Sequence, residues 1–342
     1  MKRTGQMAIG LVVAALAVAY TMRNVSTGEL LQSFRQVEWK YLAMSTLLMA
    51  ATYAARTLRW QALVNPIKPV KAWALVSPLM VGFMAAVLPA RAGEFVRAYL
   101  LGKSQNIPFA SAFATIVVER LFDLAALLFL LAWLLTFHAD KLAPDAHWNG
   151  ISIETLAFQF GILAMGLVAG LMVFIYLLAF KRDLAMKVVG FFLRPLPDNW
   201  RDKLAHLIHA FGDGLGVVRS KSALLNLTLT TALVWGLIML AYYPLYLAYG
   251  LQDASPGSII LLTLMICILI TLLPTPAFLG SFQAGVLIAL HEIMHEPEVA
   301  AVSFGFVAWG LNMIVVLAGA LYFILHDHIS IRKIAELDPD AG

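Results

Sequence analysis

The sequence predicts an all-α, polytopic membrane protein, and three observations carry that expectation. Only 13% of the residues are charged and 61% are hydrophobic, with a mean hydropathy of +0.83, whereas soluble domains carry roughly 25% charge. The apolar residues gather in eight runs, at 7–22, 41–64, 73–88, 110–137, 156–180, 224–249, 258–290 and 299–325, several as long as the ~20 residues that a spanning helix requires. The Lys and Arg residues fall mostly between these runs, where they report sidedness. Lipid leaves no backbone group unsatisfied at low cost, so the expected architecture is a helical bundle, a single transmembrane domain over 1–342.

The first run opens on Lys2 and Arg3 and carries Ala17-Val18-Ala19, a pattern shared with cleaved signal peptides; it is read here as a retained anchor. If all eight runs crossed from a cytoplasmic N-terminus, the segment 181–222, dense in Lys and Arg, would lie outside, against the positive-inside rule. A re-entrant hairpin over 73–108 removes the conflict, since the run 73–88 makes a helix of about 24 Å, short for a core of about 30 Å. A second hairpin over 258–290, broken at Pro274-Thr275-Pro276, returns the C-terminus to the cytoplasm. Sixteen Lys and Arg then lie inside, Arg56 and Arg59 among them, against Arg23, Arg35, Lys40 and Lys141 outside. The result is six spanning helices and two broken hairpins in an inverted repeat, 41–137 and 224–325, the arrangement of transporters with midplane sites. Between the repeats, 181–222 reads as a cytoplasmic amphipathic linker. The expected location is a bacterial cytoplasmic (inner) membrane with both termini cytoplasmic.

Charge inside apolar sequence marks the candidate site, because an ionisable group at membrane depth is costly and faces the bundle interior or a cavity. The first break reads Pro89-Ala90-Arg91-Ala92-Gly93-Glu94-Phe95-Val96-Arg97. Pro89 ends a helix, Gly93 allows close backbone approach, and a helix starting near Ala92 would aim free N–H groups at an anion such as phosphate. Arg91 and Arg97 would add bidentate donors, while the plainer alternative pairs Glu94 with Arg97 at i,i+3. Downstream, Glu119-Arg120-Leu121-Phe122-Asp123 sets two carboxylates on one helix face. Arg120 then answers Glu94, and Glu119 or Asp123 answers Arg91 or Arg97; a purely structural ion network is the alternative. The second break, Pro274-Thr275-Pro276-Ala277-Phe278-Leu279-Gly280-Ser281-Phe282-Gln283, offers hydroxyls, an amide and freed carbonyls suited to a polar headgroup, or a simple proline kink. Asn312 reads as an interhelical hydrogen bond or a ligand.

His291-Glu292-Ile293-Met294-His295 matches the H-E-x-x-H pattern of zinc proteases. It sits before Pro297 with only Glu296 and Glu298 nearby as a third ligand, so an intramembrane metallohydrolase is the lesser alternative and no metal or other cofactor is expected. The single cysteine, Cys267, lies in an apolar run and is read as packing, and nothing resembles a nucleic-acid module.

At these residues the sequence resembles the transmembrane-region family of lysylphosphatidylglycerol synthetases, a flippase-like family with stand-alone members linked to lipid-carried sugars and hopanoids. The resembling pieces are Pro89-Ala90-Arg91-Ala92-Gly93-Glu94 with Arg97, Glu119-Arg120 with Asp123, and Pro274-Thr275-Pro276 with Gly280-Ser281-Phe282, in that order. The resemblance implies a polytopic inner-membrane protein that translocates or handles anionic, aminoacylated or polyprenyl-linked lipids, with a lipid-modifying enzyme as a further partner. Members that synthesise lipid carry an added soluble domain, whereas this chain ends about 17 residues after its last run, so aminoacyl transfer by the chain alone is not expected. The expected function is a lipid flippase in which Arg91 and Arg97 hold the phosphate and Glu94, Glu119 and Asp123 supply counter-charge or a proton site, with Gly93 and Arg120 also lining the binding site. Pro274, Thr275, Pro276, Gly280, Ser281 and Gln283 line the other half of the path. A non-transporting accessory protein is the alternative.

Overall fold

Hydrogen bonding within helices satisfies most of the backbone of the described residues, as an apolar chain in lipid requires. The computed structural model describes residues 3–85, 92–137, 147–148, 151–193 and 220–329. The helices are α1 (Arg3–Thr21), α2 (Thr27–Gln36), α3 (Trp39–Val64), α4 (Ala72–Met84), α5 (Ala92–Gln105), α6 (Phe109–Phe137), α7 (Ile153–Phe180) and α8 (Arg182–Leu193), then α9 (Lys221–Ala248), α10 (Pro256–Leu272), α11 (Ser281–Leu287) and α12 (Glu298–His326). A 3₁₀ turn, Pro276–Phe278, precedes α11 and a π turn, Ile288–Ile293, follows it. Strand structure among the described residues is one two-residue antiparallel pairing, His147–Trp148 with Ile151–Ser152.

Four stretches among the described residues are long and apolar enough to cross a membrane: Phe109–Phe137, Lys221–Ala248, Pro276–Ile293 and Glu298–His326. Shorter apolar helices among the described residues include α4 (Ala72–Met84) and α10 (Pro256–Leu272). Helix α4 has 13 residues and α5 has 14, about 20 Å each, too short for a core of about 30 Å. They pack against each other. Gly82 makes this possible, since a Cβ there would lie 2.8 Å from the Cβ of Arg97 and 3.0 Å from the Gly93 carbonyl oxygen. Helix α10 meets α11 in the same way: a Cβ on Gly285 would lie 2.8 Å from the Cα of Ile266. The expected helix start near Ala92 is where α5 begins, while the break itself, with Leu88, Pro89, Ala90 and Arg91, lies outside the described residues, as does 194–219 of the expected amphipathic linker.

Three apolar clusters bind these elements. One joins α3, α4, α5, α6 and α12 around Trp60, Leu63, Leu79, Leu101 and Ile116. A second joins α9 to α12 around Leu245, Tyr246, Leu287 and Phe304. The third, with Leu130, Leu134, Trp235, Leu261 and Leu264, links α6 to α9 and α10, and Cys267 packs at its edge, as expected from its apolar setting. Helices α3 and α9 lie along each other between the hairpins. Outside the apolar segments, α2 is started by a capping box: Ser26 Oγ accepts the Glu29 amide N–H, and the Glu29 carboxylate accepts the Ser26 N–H at 2.9 Å. The Ser26 hydroxyl and amide together hold the Glu29 carboxyl below its ordinary value.

Arg56 and Arg59, counted above with the inside charges, both lie within α3, which continues to Val64, and Arg59 is fully buried within the bundle. The helix tolerates this charge because its carboxylate partners come from α6.

Candidate functional site

Glu119 sits at the centre of a buried ion network on α6, with no exposed surface. Arg97 of α5 reaches it with both terminal nitrogens, Nη2 to Oε2 at 2.7 Å and Nη1 to Oε1 at 3.2 Å, the two-pronged geometry that guanidinium and carboxylate share. Arg59 of α3 donates Nη2 to Glu119 Oε1 at 2.8 Å and Nη1 to Asp123 Oδ1 at 2.5 Å. Arg120 ion-pairs with Glu119 at 2.8 Å, Asp123 at 3.2 Å and, more loosely, Glu94 at 3.5 Å. Aromatic groups close the network: the Arg97 guanidinium lies 3.8 Å from the centre of the Trp60 ring, Trp60 Nε1 donates to Thr115, and Trp235 Nε1 of α9 donates to Asp123 at 3.2 Å.

These contacts decide between the alternatives read from the sequence. Glu94 does not pair with Arg97; it pairs with Arg120, and Arg97 with Glu119, because α5 packs against α6 and presents Arg97 to it. Arg120 lies within the same network as the two carboxylates rather than apart from them. Gly93 is buried at the close approach to Gly82. Arg91 lies outside the described residues.

The second break is polar but uncharged. Thr275 and Ser281 share a hydroxyl–hydroxyl hydrogen bond of 2.9 Å, the Gly280 N–H donates to Gln283 Oε1 at 2.7 Å, and Trp309 Nε1 of α12 donates to the Ala277 carbonyl at 2.9 Å. Ala277 and Phe278 both adopt left-handed backbone, φ 52° and 59°, a costly conformation for side-chain-bearing residues that this surrounding structure maintains. Ser281 and Gln283 are fully buried, and Gln283 Nε2 has no hydrogen-bond partner among the described residues. Helix α1 covers the break: Gly10 faces Pro276, and Gly280 comes against Ala14 and Ala17. Pro274 itself is exposed. No hydrogen bond or ion pair among the described residues joins the two breaks. Asn312 makes an interhelical bond, accepting from the Tyr53 hydroxyl at 2.9 Å.

The H-E-x-x-H run does not form a metal site. Two ligands at i,i+4 need a regular α-turn, and this run enters the π turn and then leaves the helix, with His295 at φ 57°. His291 Nδ1 is engaged by the Glu296 carbonyl at 2.8 Å and Glu292 is paired with Arg23 at 2.9 Å. Among the described residues no group of three His, Cys, Asp or Glu side chains is placed to hold a metal. A His291→Ala variant is therefore expected to match wild type both in zinc content, by elemental analysis of the purified protein, and in lipid transport. Parallel loss of zinc and activity would restore the metallohydrolase reading.

Arg59 is the residue of this network that reading the sequence did not single out. The signal was present, since an arginine within the run 41–64 falls under the same rule that singled out Glu119. Its position near the end of that run allowed it to be counted only with the inside charges.

Comparison with known proteins agrees with this architecture. The chain is 25% identical over 320 residues to a UPF0104 membrane protein of Methanothermobacter thermautotrophicus, covering 88% of this chain and 89% of that one. A second UPF0104 membrane protein of the same organism is 25% identical over 306 residues, 83% of each chain. Glycosyltransferase AglD of Haloferax volcanii is 29% identical over 117 residues, 34% of this chain, which spans about a fifth (19%) of that protein's length. No solved structure matches. The sequence profile of the lysylphosphatidylglycerol synthase TM region matches residues 7–328, and with the helices and breaks above this multi-pass membrane protein belongs to that family.

Proposed function

We propose that the protein is a lipid flippase that carries anionic, aminoacylated or polyprenyl-linked lipids between leaflets. The observation that carries this reading is the network of six charged side chains, Arg59, Arg97, Arg120, Glu94, Glu119 and Asp123, held among helices beside the first break. Each charge at the bilayer centre costs about 2.5–3.5 kcal/mol on insertion scales, so a chain that keeps six of them together is using them. The headgroup would pass through this polar interior while acyl or prenyl chains stay in lipid.

In this reading both hairpins are re-entrant and the chain is an inverted repeat in the cytoplasmic (inner) membrane, with both termini cytoplasmic. Support comes from the order long helix, two short helices, long helix, which occurs in α3 to α6 and again in α9 to α12. The contacts are reciprocal too, since α6 packs on the second hairpin and α12 on the first. The α5 N-terminus at Ala92 and the polar second break line opposite halves of the path. Both terminal nitrogens of Arg97 are spent on Glu119, so Arg97 positions α5 rather than gripping the phosphate.

The test is leaflet-resolved transport in proteoliposomes, using labelled phospholipid, aminoacyl-phospholipid and prenyl phosphate. Wild type is expected to move one class faster than protein-free liposomes do, and Arg91→Ala to lose that movement. No class moving above the protein-free rate would overturn the flippase reading. It would favour instead an accessory protein of a lipid-linked glycan pathway, the reading that similarity to part of a protein named a glycosyltransferase supports.

A further inference from the structure

The charges of the first site nearly cancel among the described residues, and the remainder identifies a ligand. Arg59, Arg97 and Arg120 face Glu94, Glu119 and Asp123, three guanidiniums against three carboxylates. Arg56 is the fourth guanidinium, one turn before Arg59 on α3. Among the described residues no carboxylate lies within ion-pair distance of it and its N–H groups have no hydrogen-bond partner. Asp123, which acts on Arg56 electrostatically, is already taken by Arg59, Arg120 and Trp235.

Arg56 is also held in place. Its guanidinium lies over the Phe83 ring, 5.1 Å from the centroid, and Tyr53, one turn earlier, meets the edge of the same ring at 5.2 Å while donating its hydroxyl to Asn312. Phe83 is the penultimate residue of α4, so the cation is fixed against the C-terminal end of that helix. Helix α3 has 26 residues, about 39 Å, and Arg56 lies about 12 Å from its C-terminal end, inside a core about 30 Å thick when the helix is centred. A ring covers one face of a guanidinium and leaves its edge donors unfilled. At this depth a cation with no carboxylate partner among the described residues is a candidate site for an anion, and a planar fork of N–H groups suits phosphate.

We propose that Arg56 is the side chain that binds the phosphate of the lipid headgroup, the three paired arginines serving to build the site around it. This rests on the flippase reading and deepens it. The shared chemistry is a lipid phosphate, either the phosphodiester of a phospholipid or the phosphomonoester of a polyprenyl lipid.

The experiment measures binding to the purified full chain in detergent of dioctanoyl phosphatidylglycerol and of farnesyl phosphate, with dioctanoylglycerol and farnesol as their neutral counterparts. Wild type is expected to prefer one phosphate lipid over its neutral counterpart, and which one names the source. Arg56→Gln is expected to lower that affinity about 10- to 100-fold, the factor that one or two charge-assisted hydrogen bonds supply, and to leave neutral-lipid binding and the thermal midpoint unchanged. If Arg56→Gln melts too low to compare, Arg56→Lys decides: a folded Lys variant with weakened phosphate preference supports the assignment, and one with undiminished preference overturns it. Undiminished phosphate preference in Arg56→Gln overturns it as well. Wild type that transports lipid in proteoliposomes yet shows no phosphate preference overturns the Arg56 assignment alone; wild type that neither binds nor transports overturns the flippase reading with it.

Discussion

Replacing Glu119 by alanine is expected to lower the stability of the protein by about 3–5 kcal/mol, the cost of leaving buried charge without its partner, and to abolish transport. Glu119 has no exposed surface and accepts from Arg59, Arg97 and Arg120. Without it Arg97, itself 3% exposed, has no carboxylate among the described residues, while Arg59 keeps only Asp123. Glu119→Gln is expected to follow the same direction, since an amide keeps the shape but not the charge. Glu94→Ala supplies the contrast: Glu94 and Arg120 are each about a third exposed (33% and 37%) and 3.5 Å apart, so its removal costs no more than the ~1 kcal/mol of a solvent-screened pair. Thermal unfolding in detergent measures both. A Glu119→Ala protein that melts with wild type would mean that the three guanidiniums find other partners, and the network would lose its structural role.

What made this site legible in the sequence was the cost of charge in lipid. Glu94, Arg97, Glu119, Arg120 and Asp123 stand out because their neighbours are apolar, and their cross-pairing follows from having carboxylates and guanidiniums on consecutive elements. Arg59 is legible by the same rule but its partners lie 60 and 64 residues away, a separation at which local spacing carries no information. The positive-inside argument counts residues by segment, so it treated Arg56 and Arg59 only as inside charges and drew nothing from their position within the run 41–64. The proline and glycine interruptions were legible, and the short helices α4, α5, α10 and α11 occupy the segments around them. Their closeness was not, because the contacts of Gly82 with α5 and of Gly285 with α10 depend on how the halves fold back. The H-E-x-x-H pattern misleads for a related reason: it presumes an α-turn, and the π turn is set by packing rather than by these five residues.

Gly280→Ala is the second large effect expected, a loss of about 3 kcal/mol together with loss of transport. Two costs add at this residue. Its backbone, φ 86° and ψ −53°, is one that side-chain-bearing residues reach only under strain, at about 1–3 kcal/mol. A Cβ would also lie 2.7 Å from the Ala14 carbonyl oxygen and 2.8 Å from the Ala17 Cβ, and neither backbone nor a methyl group moves aside as a long side chain does, so overpacking adds about 1–3 kcal/mol. The relief available is for α1 to lift away from the second break, which would loosen the turn of Ala277 and Phe278 and expose Thr275 and Ser281. Gly310→Ala is the control, because nothing lies within 4 Å of a Cβ there and alanine in a helix gains about 0.5–1 kcal/mol over glycine. Thermal unfolding of the two variants, read beside their transport rates, separates the cases. A Gly280→Ala protein as stable and as active as wild type would mean that α1 does not seat on the break, and that the path past Thr275, Ser281 and Gln283 is open to lipid on that side.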